Sequence, residues 1–260
     1  MNPIQHLATY SDLANKVAVV TGGSRGIGAA TARALAANSA KVAVNGRDAT
    51  AIGAIVAEIQ TTGGRAIGVA ADCTDYSAVE HLRQRVEDEL GPVDVLVVFA
   101  GGGVIKPGPV ENVTEKEWQS VMDGNLTATF LTVKSFLPGM MERRQGSIVT
   151  MASAAGRLPS SAPSPYSAAK AGIIMLSRNL ATDVAKHGVR VNCISPAAVL
   201  TERTKLHMSA NKQKEVSALH PLGRLGTPED IASAAMFLAS ESSSWITGIT
   251  LDVAGGRVMI

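Results

Sequence analysis

Short runs of β-branched and other apolar residues alternate along the chain with longer segments that have the residue pattern of helices. The runs lack the period-two alternation of a strand that faces water on one side. Such strands are typical of a parallel sheet with helices on both faces. The predicted strands are residues 17–21, 42–45, 66–70, 93–99, 147–151, 189–194 and 249–253. The sequence therefore predicts an α/β fold with one doubly wound, Rossmann-type sheet of about seven parallel strands.

Capping side chains mark the helix starts between these strands. Asp48 and Asp75 each precede a helical segment, and Thr114 is followed three residues later by Glu117, which is a capping-box pattern. Thr227 precedes a proline and two acidic residues, a further start signal. Ligands of an open parallel sheet bind beyond the carboxyl ends of its strands. The segments that fall at this edge are residues 22–28, 45–47, 100–103, 153 and 196–201.

The composition indicates one domain without a strong charge bias. The chain has 260 residues, of which 46% are hydrophobic, and a net charge of +2. Cations are dispersed among acidic residues, so there is no basic stripe for nucleic acid and we expect no nucleic-acid partner. No linker or repeat divides the chain. Residues 16–260 are predicted to form one domain after an N-terminal extension of residues 1–15.

The cysteines and the apolar stretches bear on the cellular location. Cys73 and Cys193 lack metal-ligand spacing and no secretory signal precedes them, so we interpret them as reduced, buried thiols and expect no metal site. The longest apolar stretch, residues 95–105, is too short to cross a bilayer and is interrupted by glycines. We therefore expect a cytoplasmic protein without a membrane partner.

A glycine-rich turn follows the first predicted strand directly. Residues 21–28 read Thr-Gly-Gly-Ser-Arg-Gly-Ile-Gly and lead into Ala-rich helical sequence. Glycines let backbone amides approach a diphosphate, and a helix start supplies unpaired N–H groups and a positive dipole end. The spacing differs from the commonest G-x-G-x-x-G pattern. A tight turn without a ligand is the alternative, but three glycines, Gly22, Gly26 and Gly28, exceed what such a turn requires. The motif predicts a dinucleotide site.

The end of the second predicted strand favours NADP(H) over NAD(H). An NAD site carries an acidic side chain about 20 residues past the glycine loop, where it holds the ribose hydroxyls. The corresponding tip reads Asn45-Gly46-Arg47-Asp48. Asp48 lies beyond the strand end and is better placed to cap a helix. Arg47 and Arg25 offer guanidinium donors for a 2′-phosphate.

Tyr166 and Lys170 lie four residues apart in an Ala-rich segment, and Ser153 precedes the tyrosine. Four residues are about one helical turn, so the phenol and the ammonium project from one face. A phenol has a pKa near ~10, and a nearby cation favours the phenolate, so the pair is suited to proton transfer at a carbonyl or an alcohol. A surface pair contributing ~0.2–0.5 kcal/mol is the alternative reading of the spacing alone.

Together these motifs resemble the short-chain dehydrogenase/reductase family, over residues 17–256. The residues that carry the resemblance are Thr21, Gly22, Gly26, Ile27, Gly28, Asp72, Ala100, Gly101, Asn125, Ser153, Tyr166, Lys170, Asn192, Pro196 and Thr201. The chain departs from the family pattern at three places. Val98-Phe99 replaces Asn-Asn, which removes amide side chains that bond neighbouring backbone. Ala197 replaces a glycine after Pro196, and Ala254 replaces the aspartate of an Asp-Gly-Gly near the end.

The resemblance implies a catalytic set. Tyr166 is implied as the acid or base at the substrate oxygen, Ser153 as the group that polarises that oxygen, and Lys170 as the ligand of the nicotinamide ribose that also tunes the tyrosine. Asn125 would hold a water of a proton relay. Asn125 has an alternative role in bridging a kinked helix.

The resemblance and the glycine turn together define a cofactor-binding set. Asp72 would face the adenine and Thr201 the carboxamide, although Asp72 has an alternative role in capping a turn and Thr201 in capping the helix that follows. The full expected set is Gly22, Ser24, Arg25, Gly26, Ile27, Gly28, Asn45, Arg47, Asp72, Cys73, Ala100, Gly101, Tyr166, Lys170, Pro196 and Thr201.

Within the family the chain is most similar to bacterial β-ketoacyl-acyl-carrier-protein reductases. This similarity implies contact with an acidic carrier protein through Arg143 and Arg144, although these residues also suit ordinary solvated helix-end cations. It also implies a substrate lid around residues 198–219. The family usually assembles homotetramers through long helices, which correspond here to residues 114–143 and 166–186.

Three functions remain open at this point. The first is an NADPH-dependent reductase of a ketone, such as a 3-oxoacyl thioester, with a proton from Tyr166. The second is a dehydrogenase of the same family that acts on a sugar, a steroid or another secondary alcohol. The third is a catalytically silent NADP-binding regulatory protein, which the altered segment at Val98-Phe99 motivates but the intact Ser153, Tyr166 and Lys170 oppose.

Overall fold

The predicted strands are confirmed, each to within two residues at either end, in a computed structural model that describes residues 8–102 and 105–259. Residues 1–7 of the predicted extension, and Gly103 of the predicted crevice loops, lie outside the described residues. The strands are β1 (Val17–Thr21), β2 (Lys41–Gly46), β3 (Arg65–Ala70), β4 (Val95–Val98), β5 (Gly146–Met151), β6 (Val189–Pro196) and β7 (Thr250–Val253).

The helices cover both faces of this sheet. They are α1 (Gly26–Ala37), α2 (Ala49–Thr61), α3 (Tyr76–Leu90), α4 (Glu115–Met122), α5 (Ala128–Arg143), α6 (Ser164–Val184), α7 (Glu202–His207), α8 (Ala210–Ala218) and α9 (Pro228–Ala239). Alternate residues of one strand serve the two faces: Ala18 and Val20 pack in the core beneath α1, α2 and α9, whereas Val17 and Val19 pack beneath α3, α5 and α6. Burial on both faces explains why the strands are apolar throughout.

All seven strands are parallel, in the order β3-β2-β1-β4-β5-β6-β7. The chain reverses its direction of progress across the sheet between β1 and β4. In a doubly wound sheet this position opens a crevice beyond the carboxyl ends of the strands. The predicted fold class is therefore confirmed, and the loops after β1, β2, β4, β5 and β6 meet at one edge.

The predicted helix caps are also confirmed. The Asp48 carboxylate accepts from the backbone N–H of Ala51 at 3.1 Å, and Asp75 accepts from the N–H groups at the start of α3. Thr114 and Thr227 each form a full capping box with the residue three positions later. These contacts satisfy amide donors that a helix start leaves unpaired.

A π-helical turn, Asp123–Thr127, joins α4 to α5 without a break. A π turn holds one more residue than an α turn and usually appears as a single wide turn within a longer helix. The predicted helix of residues 114–143 is therefore one continuous helix with a local widening. Asn125 lies in the widened turn and its side chain is fully buried.

The described part of the predicted N-terminal extension packs against the domain. Leu13 belongs to the core beneath α1, and the Asp12 carboxylate accepts from the backbone N–H of Glu241 at 2.8 Å.

The segment predicted as a substrate lid, residues 198–219, contains α7 and α8. Their boundaries divide residues 198–219 into two short helices.

Candidate active site

The glycine loop after β1 is packed backbone against backbone. Gly22 has a φ of +65°, and a Cβ placed there would lie 2.8 Å from the carbonyl oxygen of Phe99. A Cβ on Gly28 would lie 2.1 Å from the carbonyl oxygen of Gly22. Contacts this short exclude any side chain at either position. The strand, the turn and the first turn of α1 are thereby held together as a cradle of exposed backbone amides.

The start of α1 has no side-chain cap, unlike the starts of α2, α3, α4 and α9. The N–H groups before Ala29 therefore have no partner within the helix, and the Arg25 side chain does not cap them. Amides of this kind beside a glycine turn fit the diphosphate of a dinucleotide. Gly26 has a φ of +52°, and a Cβ there would lie 3.2 Å from Cγ2 of Thr201, so Thr201 borders the same loop.

The two arginines expected to bind the 2′-phosphate of the cofactor lie at the tip of β2, Arg47, and in the glycine loop, Arg25. The Arg47 side chain is 82% exposed, and its Nη1 lies 4.0 Å from a carboxylate oxygen of Asp72. Arg25 forms an ion pair with Asp48. The hydrogen bond from Ala51 and, after it, that from Arg25 lower the pKa of Asp48. Asp48 is thus engaged as a helix cap and as the partner of Arg25.

Two residues of the expected cofactor set point away from the crevice. The amide nitrogen of Asn45 donates to the carbonyl oxygens of Val69 and Ala71, at 3.1 and 3.2 Å, and its oxygen accepts from the Cys73 thiol at 3.3 Å. Burial raises the pKa of that thiol to about 11. The Asn45 and Cys73 side chains therefore join β2 to β3, and only their backbone atoms remain for a ligand.

Asp72 and Thr201 both make the local contacts that the sequence left as alternatives. The Asp72 carboxylate accepts from the N–H and the hydroxyl of Thr74, both at 2.9 Å, and the N–H contact lowers its pKa. Thr201 caps α7 by accepting from the N–H of Thr204 at 3.2 Å. These bonds fix the two side chains at the crevice edge.

Ser153 and Tyr166 are brought together by the turn after β5. Ser153 precedes the 3₁₀ turn Ala154–Gly156, and its hydroxyl accepts from the N–H of Ala155 at 3.2 Å. Tyr166 lies in the first turn of α6. Burial raises the pKa of Tyr166, while a hydrogen bond with Ser153 and the charge of Arg203 oppose the rise. The two hydroxyls can therefore bind one substrate oxygen.

Lys170 is buried beneath these hydroxyls, with 5% of its surface exposed. Its ammonium donates to the carbonyl oxygen of Met151 at 3.0 Å, and Nζ lies 5.6 Å from the centroid of the Tyr166 ring. Burial lowers the pKa of Lys170 to about 8. The sequence predicts that this cation lowers the pKa of Tyr166. In the structure, Lys170 donates to a carbonyl oxygen beside the ring. The largest effect on the pKa of Tyr166 is burial of the phenol, which raises it.

Asn125 and Lys170 converge on the loop after β4. A Cβ on Gly101 would lie 3.0 Å from Oδ1 of Asn125 and 3.4 Å from Nζ of Lys170. Oδ1 of Asn125 accepts from the N–H of Gly102 at 3.1 Å, and Nδ2 donates to the carbonyl oxygen of Val121 at 2.9 Å. The Asn125 side chain thus bonds a carbonyl oxygen of its own helix, as expected for a residue that bridges a kinked helix, and it lies beside Lys170.

Apolar packing replaces the missing amides at Val98-Phe99. Val98 is buried between β1 and β5, and Phe99 packs against two parts of the core. The next residue, Ala100, donates its N–H to the Thr21 hydroxyl at 3.1 Å. On the other side of the crevice Pro196 ends β6. The loop after β4 is therefore held by packing and by Thr21.

Arg203 is a site residue that no sequence motif indicates. A Cβ on Gly102 would lie 3.5 Å from its Nη1, and its charge acts on Tyr166. It therefore extends from α7 across the crevice. Its position follows from the fold of the lid segment, and the only signal in the sequence is an arginine two residues after Thr201.

Two further findings concern other kinds of site. Within residues 8–102 and 105–259, no group of three or more His, Cys, Asp or Glu side chains is arranged to hold a metal ion. No helix in that part of the chain has both the length and the apolar character needed to span a bilayer.

Comparison with known proteins places this architecture in a family. A family model described as enoyl-(acyl carrier protein) reductase matches residues 22–257. The 3-oxoacyl-[acyl-carrier-protein] reductase FabG of Vibrio cholerae serotype O1 is 39% identical over 249 residues, which cover 96% of this chain and 100% of the relative. The chain belongs to the short-chain dehydrogenase/reductase family. The corresponding reductase of Synechocystis is also 39% identical, over 95% of this chain and 98% of its own.

A solved structure with a similar fold and name agrees with this assignment. A crystal structure of a 3-oxoacyl-[acyl-carrier protein] reductase from Brucella melitensis, with bound NAD, superimposes with a TM-score of 0.86 at 33% identity. The superimposed region covers 96% of this chain and 94% of the Brucella melitensis chain. The similarity therefore includes the sheet, the helices on both faces and the crevice.

Proposed function

We propose that this enzyme reduces a 3-oxoacyl thioester to the 3-hydroxyacyl thioester with NADPH. The observation that carries the proposal is the meeting of Ser153, Tyr166 and Lys170 beside the glycine cradle at one edge of the sheet. The names of the full-length relatives support this substrate class. When bound, the nicotinamide supplies the hydride that goes to the carbonyl carbon.

The chain's own residues would handle the oxygen and its proton. Ser153 donates a hydrogen bond to the ketone oxygen, and Tyr166 transfers its phenolic proton to that oxygen as the alcohol forms. The remaining phenolate is stabilised by the Lys170 ammonium and regains a proton from solvent. Because burial lowers the pKa of Lys170 only to about 8, the lysine keeps its charge near neutral pH.

The choice of NADPH rests on the tip of β2. The Asp48 carboxylate accepts from the start of α2 and pairs with Arg25, so it is not available for ribose hydroxyls. The Arg47 guanidinium is exposed beside the adenine end of the crevice and offers a fork of donors for a 2′-phosphate. A related structure holds NAD, so the preference must be measured for this chain.

The test is NADPH oxidation with an acetoacetyl thioester, alongside simple ketones, steroids and sugars. We expect the thioester to be reduced and Tyr166→Phe to lose about 10²-fold or more in kcat, because the general acid is removed. Tyr166→Phe should still bind NADPH, which fluorescence titration measures. Full activity of Tyr166→Phe would exclude this residue as the acid. Tight NADPH binding without reduction of any substrate would favour the regulatory function.

A second candidate is reduction of a carbon–carbon double bond. The description of the matching family model names an enoyl reductase, which motivates this alternative. A crotonyl thioester offers the double bond without the ketone, so it separates the two reactions in the same assay. We expect it to be inert, because Ser153 and Tyr166 are arranged around a single oxygen.

We also propose that this enzyme contacts an acyl carrier protein through Arg143 and Arg144 and assembles into a homotetramer. Arg143 donates to the carbonyl oxygen of Val93 and Arg144 to that of Lys186, at 2.7 and 2.8 Å. They end α5 at the amino edge of the sheet, about 20 Å along β5 from Ser153. Arg144→Glu should raise the KM for a carrier-bound substrate and not for a small thioester. Light scattering tests the tetramer.

A further inference from the structure

A small cavity lies beside Ser153, on the side facing the C-terminal segment. Its volume is about 150 Å³. Leu158 and Pro159 form one wall, and Val258 and Ala197 form others. Because Ser153 is itself part of the lining, a substrate whose oxygen is bound there would direct one of its two carbon branches into this cavity.

One cation borders the cavity. Arg257 lines it, its side chain is exposed, and no hydrogen bond or ion pair of that side chain is found within the described part of the chain. The neighbouring Arg157 is different, because its guanidinium lies 2.8 Å from Asp252 and its charge is balanced. The cavity therefore carries a net positive charge from Arg257, and the rest of its lining is uncharged, with apolar side chains beside the hydroxyls of Ser153 and Ser160.

We propose that this cavity binds a short acyl branch that ends in a carboxylate, with Arg257 as the partner of that carboxylate. The inference rests on the proposed ketone reduction and specifies its substrate class. An arginine fork binds a carboxylate through two parallel hydrogen bonds and adds specificity as well as affinity. The preferred substrate is then a 3-oxoacyl thioester whose acyl end is anionic.

The size of the cavity limits the length of that branch. A volume of about 150 Å³ corresponds to about five groups the size of a water molecule. Two methylene groups and a carboxylate contain five heavy atoms and match this space. A long saturated chain would extend past Arg257 into solvent and would leave the guanidinium without an anion.

The experiment compares two small thioesters of equal shape. Both have a six-carbon 3-oxoacyl frame; one ends in a carboxylate and the other in an isopropyl group of the same size. We expect kcat/KM to be about tenfold higher for the carboxylate, mainly through KM, because the contact is remote from the reacting atoms. Arg257→Met should abolish the preference by weakening the anionic substrate only.

Arg65→Met is the matched control. Arg65 begins β3 at the amino edge of the sheet, so the same loss of charge occurs far from the cavity and should leave the preference unchanged. A wild-type enzyme that reduces both thioesters equally well, or a preference that survives in Arg257→Met, overturns the inference but leaves the proposed reduction standing. If neither thioester is reduced, the proposed function itself fails, and this inference with it.

Discussion

The ammonium nitrogen of Lys170 lies 5.6 Å from the centroid of the Tyr166 ring, inside the protein, and donates to the carbonyl oxygen of Met151. Burial lowers its pKa from 10.5 to about 8, so the folded protein loses this proton before the unfolded chain does. Between those two values the unfolded state binds more protons. Stability therefore rises with pH across this window.

The Lys170→Met variant measures this linkage. Relative to the variant, the wild-type protein should gain about 3 kcal/mol of unfolding free energy between pH 7 and pH 10.5, because the cost of burying the charge disappears. Urea unfolding of both proteins at a series of pH values, without cofactor, gives the difference directly. Parallel curves for the two proteins would show that burial does not shift the pKa of Lys170.

Two Gly→Ala changes should have opposite effects, because Gly28 lies in the glycine cradle and Gly53 lies in α2. Gly28→Ala places a Cβ 2.1 Å from the carbonyl oxygen of Gly22, so the turn must open. We expect a loss of roughly 2 kcal/mol or more of stability and of NADPH affinity. Gly53→Ala is the control, because nothing lies within 4 Å of that position in α2.

Gly53→Ala should stabilise the protein by about 0.5–1 kcal/mol, since alanine favours a helix interior. Thermal unfolding and fluorescence titration with NADPH measure both variants. The interpretation of the cradle is incorrect if Gly28→Ala retains wild-type affinity.

Arg47→Ala tests the choice of cofactor. Loss of a charge-assisted hydrogen bond to a 2′-phosphate should lower the ratio of kcat/KM for NADPH to that for NADH about tenfold. The change should appear in the NADPH value, with the NADH value nearly constant. Arg65→Ala removes an arginine at the opposite edge of the sheet and should leave the ratio as in the wild type.

The ion pair of Arg157 with Asp252 should stabilise the turn that follows Ser153. Their side chains are only 10% and 13% exposed, and the atoms lie 2.8 Å apart. Asp252→Leu removes the carboxylate that faces this buried guanidinium and should lower the free energy of unfolding. The double variant Arg157→Met/Asp252→Leu should recover most of that loss. Urea unfolding of the single and double variants tests this, and equal losses in both would contradict it.

Local sequence signals predict most of the fold. The β-branched runs mark the strands because each strand is buried on both faces, and Asp48, Asp75, Thr114 and Thr227 mark helix starts because each satisfies amides of its own first turn. The convergence of loops at one edge follows from a parallel sheet. These inferences need only neighbouring residues and general topology.

Contacts between distant segments are what the sequence does not reveal. The sequence places Asn45 in the crevice, but its side chain donates to backbone carbonyl oxygens at the end of β3 and just after it. Arg203 reaches the site only because α7 folds over it. The π turn has no sequence pattern of its own, and the Asn125 side chain in it donates to the carbonyl oxygen of Val121 in the turn before. The positions of Asn45 and Arg203 depend on partners that are remote in sequence, and the π turn is a local geometry that no sequence pattern marks.

The extra residue in the turn Asp123–Thr127 limits how this helix tolerates changes in length. Removing one residue there would convert the turn to ordinary α geometry and keep the helix unbroken. Because a π turn contains one residue more than an α turn, the helix segments on either side of the deletion would keep their facing and their packing. The change would fall on the turn itself, which would lose the widened backbone that places Oδ1 of Asn125 on the N–H of Gly102. We therefore expect a single-residue deletion here to impair the crevice more than it impairs the stability of the fold.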